Sequence, residues 1–328
     1  MFFTLLQSAV RYSTVFLFGS TGETIVERSG HLNLGIPGIM CIGAVGGCTG
    51  INIYLSRLAD ASAASPFMVI LMGILFAMIF AGAAGLLYGF MTITFRCNQN
   101  VTGLAITTLG TGILNYWGKY MGSKGVTFTA PSEFFMNLFP ASWGEGAGLV
   151  FFSYGPLVYL AILIAIVTAI IFRHTRTGLS LKAVGENPAT ADAAGINVTG
   201  YKYVACTLGA AIAGIGGLFY VMDYCKGSLE YVVDAMGWLA VALVIFSLWR
   251  PTLGIVGSIL FGMLYNTQNF LPYLVVIKNL QIKNAIQQIF VMVPYVVTIL
   301  ILIITSIINK RETQPPTALG IPYFREER

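Results

Sequence analysis

Residues 173–202 read RHTRTGLSLKAVGENPATADAAGINVTGYK, a polar, basic stretch in a chain otherwise built from apolar segments with few charges. Long apolar runs flank it on both sides, so it reads as a loop between membrane helices. Of the 328 residues, 56% are hydrophobic and 9% are charged, and the mean hydropathy is +0.79. That leaves too little polar surface for a water-soluble fold of this size. A helix crosses lipid on roughly 20 apolar residues with its backbone hydrogen bonds closed internally. The fold class is therefore all-α, a polytopic transmembrane helical bundle of about nine spans (8–10), some of them broken or re-entrant.

Apolar runs divided by polar, Gly or Pro punctuation place the spans near 4–24, 32–56, 67–95, 98–119, 150–172, 203–222, 236–249, 253–272 and 285–308. No internal repeat or interdomain linker is visible, so residues 1–328 read as one transmembrane domain with a loop at 173–202 and a tail at 309–328. Met1–Phe18 lacks a basic leading region and carries Arg11, which reads as a retained first helix. Arg11 either snorkels to an interface or has a role inside the membrane.

The net charge of +5 fits the positive-inside bias of membrane proteins better than nucleic-acid binding. With the 173–202 loop and the tail in the cytoplasm, Arg28, Arg96, Arg173, Arg176, Lys182, Lys202, Arg250, Lys310, Arg311, Arg325 and Arg328 fall inside. Arg57, Lys119, Lys124, Lys226, Lys278 and Lys283 fall outside, a balance of 11 to 6 that supports this orientation. An odd number of spans then puts the N-terminus outside. Cys41, Cys48, Cys97, Cys206 and Cys225 show no CxxC or zinc spacing and read as small apolar packing residues.

Residues 30–50 hold seven glycines and Pro37, the composition of a broken or closely packed segment. Small-residue spacings recur at Gly43/Gly47, Gly85/Gly89, Gly118/Gly122 and across Gly209–Gly217, where helices of one bundle approach closely.

Several chemistries are missing. No GxxxxGK followed by Ser or Thr is present, so the chain has no phosphate cradle of its own for ATP. There is no HExxH, nucleophile elbow or clustered Cys/His site, so the chain reads as a non-enzyme with no metal and no cofactor of its own. Most acidic residues map to loops or the tail; Glu23, Glu27 and His31 alone sit together at a membrane boundary, a thin basis for a proton relay.

Within GENPATADAAGIN, Asn187 is placed to cap a helix, Pro188 suits its first position and Gly195 suits its left-handed end. A helix over Pro188–Ala194 follows, with alanines at 189, 191, 193 and 194 leaving a slim surface. Glu186 complements the helix dipole. A slim, capped, exposed helix suits docking to another protein, although any polytopic protein can carry one.

This stretch resembles the coupling-helix segment of ABC importer permeases of the nucleoside and simple-sugar branch (ribose and branched-chain amino acid type). The family pattern there is TxxGLxLRAVGENPxAAxxAGIxV; this chain has TRTGLSLKAVGENPATADAAGINV. Three further blocks resemble the family in order: ERSGHLNLGIPGIMCIGA (27–44), NQNVTGLAITTLG (98–110) and GWLAVALVIFSLWRPTLGIVGSILFG (237–262). The ending ALGIPYFREER is also similar. The chain departs from the pattern at Pro37, where the family often has Glu, and at Ser247–Leu248, where Gly is usual before Trp249.

The resemblance implies a type II-like ABC importer in a bacterial inner membrane. Two permease subunits form the pathway, two ATPase subunits bind ATP and Mg, and an extracytoplasmic binding lipoprotein delivers substrate. On that reading Gly185, Glu186, Asn187, Pro188, Ala189, Ala191, Asp192, Ala193 and Gly195 couple the chain to the ATPase.

Polar side chains in apolar spans are candidates to line a pathway: Asn33; Asn98, Gln99, Asn100, Thr102, Thr107, Thr108, Thr111 and Asn115; and Asn266, Gln268 and Asn269. Thr107, Thr111 and Asn115 are four apart and share a helical face. Uncharged amides and hydroxyls suit a neutral, hydrogen-bonding cargo such as a nucleoside, with riboflavin or a simple sugar as alternatives. The same residues also serve helix packing. Tyr116 and Trp117 read as interfacial anchors, and residues 127–143 as an interfacial segment facing a binding protein or lipid. An ion-coupled secondary transporter is the reading outside this class.

Overall fold

Helices occupy every apolar segment delimited in the sequence. The computed structural model describes residues 2–58, 64–122, 148–225, 234–274, 280–308 and 314–324, and all regular structure among them is helical. In order these are α1 (Phe2–Arg28), α2 (Ile36–Leu55), α3 (Pro66–Gly89), α4 (Gln99–Gly122), α5 (Leu149–Phe152), α6 (Pro156–His174), α7 (Arg176–Glu186), α8 (Pro188–Ala193), α9 (Val198–Phe219), α10 (Asp234–Phe246), α11 (Pro251–Leu274) and α12 (Leu280–Ile308). Both α3 and α9 widen into a π-helical turn, at Phe90–Thr94 and Tyr220–Tyr224.

Proline marks several helix starts, because its missing N–H is no loss in a first turn. It opens α3, α6 and α8 and stands second in α2. Among the described residues four helices are long and apolar enough to cross a membrane: α2, α3 with its π turn, α6, and α9 with its π turn. Shorter apolar stretches lie in α10, α11 and α12.

Burial separates the centre of the bundle from its rim. In the most apolar windows, 83% of α2 and 78% of α9 residues are buried, against 39% for α3 and 33% for α6. Helix α9 packs between α1 and α2, α1 also runs along α11, α3 closes over α2 and α9, and α4 lies along α2. The glycine spacings serve this packing: Gly43 faces Gly214, Gly85 faces the Cys206 carbonyl, and Gly209 faces Gly22, so backbones touch. Cys41, Cys48 and Cys206 are buried as small packing residues.

Three boundaries differ from the sequence reading. The second apolar segment becomes helical only at Ile36, after an irregular, largely buried stretch over 29–35. Residues 36–50, dense in glycine, form an unbroken helix, because the close neighbours α3 and α9 require small residues there. The short helix α8 ends at Ala193, not Ala194. The 127–143 segment, Lys124, Lys226, Lys278, Lys310, Arg311, Arg325 and Arg328 lie outside the described residues.

Candidate functional site

Non-helical backbone inside a membrane protein persists only where protein groups satisfy its polar atoms, since each one left unpaired costs about 1–3 kcal/mol. Residues 29–35 meet that condition through side chains from three helices. Leu32 N donates to Gln99 Oε1 at 2.8 Å, and Asn33 N donates to Glu23 Oε1 at 3.0 Å. Gly35 N donates to Asn33 Oδ1 at 2.9 Å. The Tyr88 hydroxyl donates to the Leu32 carbonyl at 2.8 Å, and Thr107 Oγ1 donates to the Leu34 carbonyl at 2.9 Å.

This nest retains unused capacity. Among the described residues His31 Nδ1, Asn33 Nδ2 and Gln99 Nε2 are buried without a hydrogen-bond partner, while the Glu23 carboxyl lies against that of Glu27. Burial, and then the Lys202 ammonium, push the His31 imidazole down to about 3, so it is neutral at ordinary pH.

A second device clamps the end of α1 to the turn between α10 and α11. Leu248 and Trp249 both sit in the left-handed region, at φ 53° and 56°. That conformation costs an L-residue roughly 1–2 kcal/mol. The Trp249 indole Nε1 donates to the Glu27 carboxylate. Arg28 returns the contact, its Nε and Nη2 both donating to the Trp249 carbonyl at 3.1 Å.

The 175–197 segment is built from consecutive capped helices. Thr175 Oγ1 accepts from Gly178 N at 3.1 Å, Asn187 Oδ1 from Thr190 N at 3.0 Å, and Asn197 Oδ1 from Gly200 N at 2.9 Å. Gly195, at φ +82°, lets Ile196 N turn back to the Ala191 carbonyl at 3.0 Å. The exposed face of α8 comprises Ala189, Thr190 and Ala193, with Pro188 and Asp192 half-buried.

The sequence reading counted Ala191 in the slim docking surface, and the structure corrects this. Ala191 is 3% exposed and packs against Val184 and Val198, because α8 lies on α7 and the start of α9. Gly185 is buried too: a side chain there would meet the Arg28 carbonyl and Gly30. The 175–197 segment thus touches the nest through backbone.

Residues 314–324 strap across this junction, a feature the sequence did not reveal. Ala318 N donates to the Gly185 carbonyl at 3.0 Å and Gly320 N to the Gly30 carbonyl at 3.1 Å. Thr317 Oγ1 donates to Glu186 Oε2 at 2.8 Å, and the Tyr323 hydroxyl to Asp192 Oδ2 at 2.9 Å. The Arg96 guanidinium lies 4.5 Å over the Phe324 ring.

The pathway candidates divide into two groups. Asn33, Gln99 and Thr107 belong to the nest. Asn98 caps α4, its Oδ1 accepting from Val101 N at 3.1 Å. The Thr108 and Thr111 hydroxyls bond back to Leu104 and Thr107 carbonyls at 3.0 and 2.7 Å. Asn100, Thr108 and Asn115 are exposed on the outer face of α4, where Gly112 has nothing nearby. Asn266 is buried, its Nδ2 donating to the Leu5 carbonyl at 3.5 Å, while the side chains of Gln268 and Asn269 lie outside the described residues.

Sequence reasoning gave little weight to Glu23 and Glu27 and passed over Tyr88 and Trp249. The available signal was the spacing of Glu23 and Glu27, four apart in a helix whose neighbours are apolar.

Comparison with known proteins agrees with this architecture. The family described as "Branched-chain amino acid transport system / permease component" matches residues 5–302. The guanosine ABC transporter permease protein NupQ of Bacillus subtilis is 30% identical over 337 residues, covering 99% of this chain and 97% of the relative. The nucleoside ABC transporter permease protein NupC of Lactococcus lactis subsp. cremoris is 29% identical over 318 residues, 96% of this chain and 95% of its own. A putative glucose ABC transporter permease protein, TsgC13 of Haloferax volcanii, is 32% identical over 266 residues, 79% of this chain and 75% of its own. No solved structure matches the chain. With most of its length matched and its helices apolar, the chain is a multi-pass membrane protein that belongs to the branched-chain amino acid transport system permease component family.

Proposed function

We propose that this chain is the pathway-forming subunit of a binding-protein-dependent ABC importer for nucleosides, purine nucleosides foremost. The observation that carries the reading is the full-length similarity to the guanosine permease protein. The chain crosses a bacterial cytoplasmic membrane about nine times (8–10), with residues 175–197 inside. Its partners are a second, paralogous permease, an ABC ATPase that holds ATP and Mg, and an extracytoplasmic substrate-binding lipoprotein.

Closure of the ATPase pushes on the outer face of α8, Ala189, Thr190 and Ala193. The buried Ala191 and the Tyr323–Asp192 bond make α8 a firm lever instead of a loose loop. The push passes through the backbone contact of Gly185 with Arg28 and Gly30 into the nest around Asn33, and through Arg28 to Trp249 and α11. Along α4, the exposed Asn100, Thr108 and Asn115 offer neutral hydrogen-bonding groups toward the pathway and the second permease. Such groups bind a nucleoside without demanding a charge on it.

A sugar reading has one observation in its favour, the 32% identity to the putative glucose permease over 79% of the chain. Reconstitution into proteoliposomes with the ATPase, second permease and binding lipoprotein separates the two. ATP-driven uptake of guanosine, uncompeted by glucose or riboflavin, is expected. Glucose or riboflavin uptake without guanosine uptake would replace the cargo. Uptake that persists without the ATPase and collapses with an ionophore would overturn the ABC assignment.

A further inference from the structure

A cavity of about 660 Å³ lies where α6 meets the end of α1, the end of α7 and the start of α11. Its wall changes character along α6. Ile166 and Ile170 are exposed apolar side chains one turn apart, and Arg173 follows three residues later on the same stripe. Arg28, Lys182 and Arg250 join Arg173, so four cationic side chains line one cavity, with His174 beside them.

Among the described residues Glu186 supplies the one carboxylate of this lining; it attracts Arg28, and its Oε2 accepts from Thr317. Arg28 commits two of its five N–H groups to the Trp249 carbonyl. Burial, and then the charges of Arg28 and Arg250, push the Lys182 ammonium below its ordinary value. The Arg28 and Lys182 charges repel one another, and an anion held in this cavity relieves that repulsion.

We propose that this cavity binds the phosphate headgroup of an anionic phospholipid, with the acyl chains lying along Ile166 and Ile170. Free phosphate would answer the charge and leave the apolar wall unused; a phospholipid carries both parts. Basic pockets at the ends of membrane helices recognise such headgroups. The leaflet, cytosolic, follows from the orientation proposed above, whereas the site itself does not depend on the importer reading.

The test is lipid retention by the purified protein in detergent, read by native mass spectrometry with added phosphatidylglycerol, phosphatidylcholine or inorganic phosphate. Phosphatidylglycerol is expected to be retained in preference to phosphatidylcholine. The Arg173→Gln/Lys182→Gln double variant should weaken that binding about 25-fold, at roughly fivefold per charge removed, and Arg173→Lys/Lys182→Arg should restore it. Unchanged retention in the double Gln variant overturns the proposal, as does displacement of the lipid by millimolar inorganic phosphate. Loss of ATPase association with lipid retention intact would assign the cations to a protein partner and overturn it equally. A photoactivatable phosphatidylglycerol provides a measurement on the unaltered protein: crosslinks are expected on residues 166–182, and labelling confined elsewhere refutes the site.

Discussion

The two polar regions of this chain are held in place by opposite means. In residues 175–197, Thr175, Asn187 and Asn197 each accept a backbone N–H three residues onward, so the segment encodes its own turns. In residues 29–35, partners come from farther along the chain: 10 residues away for Glu23, 56 for Tyr88, 67 for Gln99 and 73 for Thr107. The first region can form its caps before the bundle assembles; the second exists only once α1, α3 and α4 surround it. A segment built locally therefore packs on a nest built globally, and Gly185 is where the two meet.

Substitutions in each region should fail differently. The largest effect is expected for Trp249→Ala, which removes a buried aromatic and leaves the Glu27 carboxylate without its indole donor, while Arg28 keeps the backbone carbonyl at 249. A loss of about 3–5 kcal/mol, read as a fall in the melting temperature of the purified protein, follows from the size of the side chain. A variant melting like the parent would show that the clasp contributes no stability.

Ala191→Pro should cost about 3 kcal/mol, but locally, since it removes the hydrogen bond from Ala191 N to the Asn187 carbonyl and breaks α8. ATP-driven uptake is expected to vanish while the bundle stays in the membrane and melts nearly as before. Global unfolding would mean that the lever is not separable from the nest; unchanged uptake would mean that α8 does not couple. Asn187→Ala gives the mildest contrast, a cap loss of about 1 kcal/mol. Uptake should fall only in part, with faster amide hydrogen exchange at residues 188–193 and none at 29–35.

Much of the architecture is legible in the residues because apolar length and Gly/Pro punctuation act locally. The caps at Asn187 and Gly195 are legible for the same reason. The orientation of α8 is not, since Ala189, Ala191 and Ala193 are chemically identical and only packing on Val184 and Val198 selects Ala191 for burial. The glycine density of residues 30–50 announced close packing without saying where the helix begins. That boundary is set by Glu23 and Gln99, which satisfy backbone N–H groups outside the helix. Trp249 carried no local sign of its left-handed backbone, which is held by Glu27 and Arg28 from 222 and 221 residues away.

By itself the sequence determined the class, the helical segments and the capped polar stretch at 173–202, because each depends on residues within a few turns of one another. Tertiary structure decided which alanine of α8 faces inward, how residues 29–35 are satisfied, and where the 314–324 strap lies. It also decided which cations share a cavity. Those outcomes depend on hydrogen bonds and charges between residues distant in sequence, and only the assembled bundle brings them within reach.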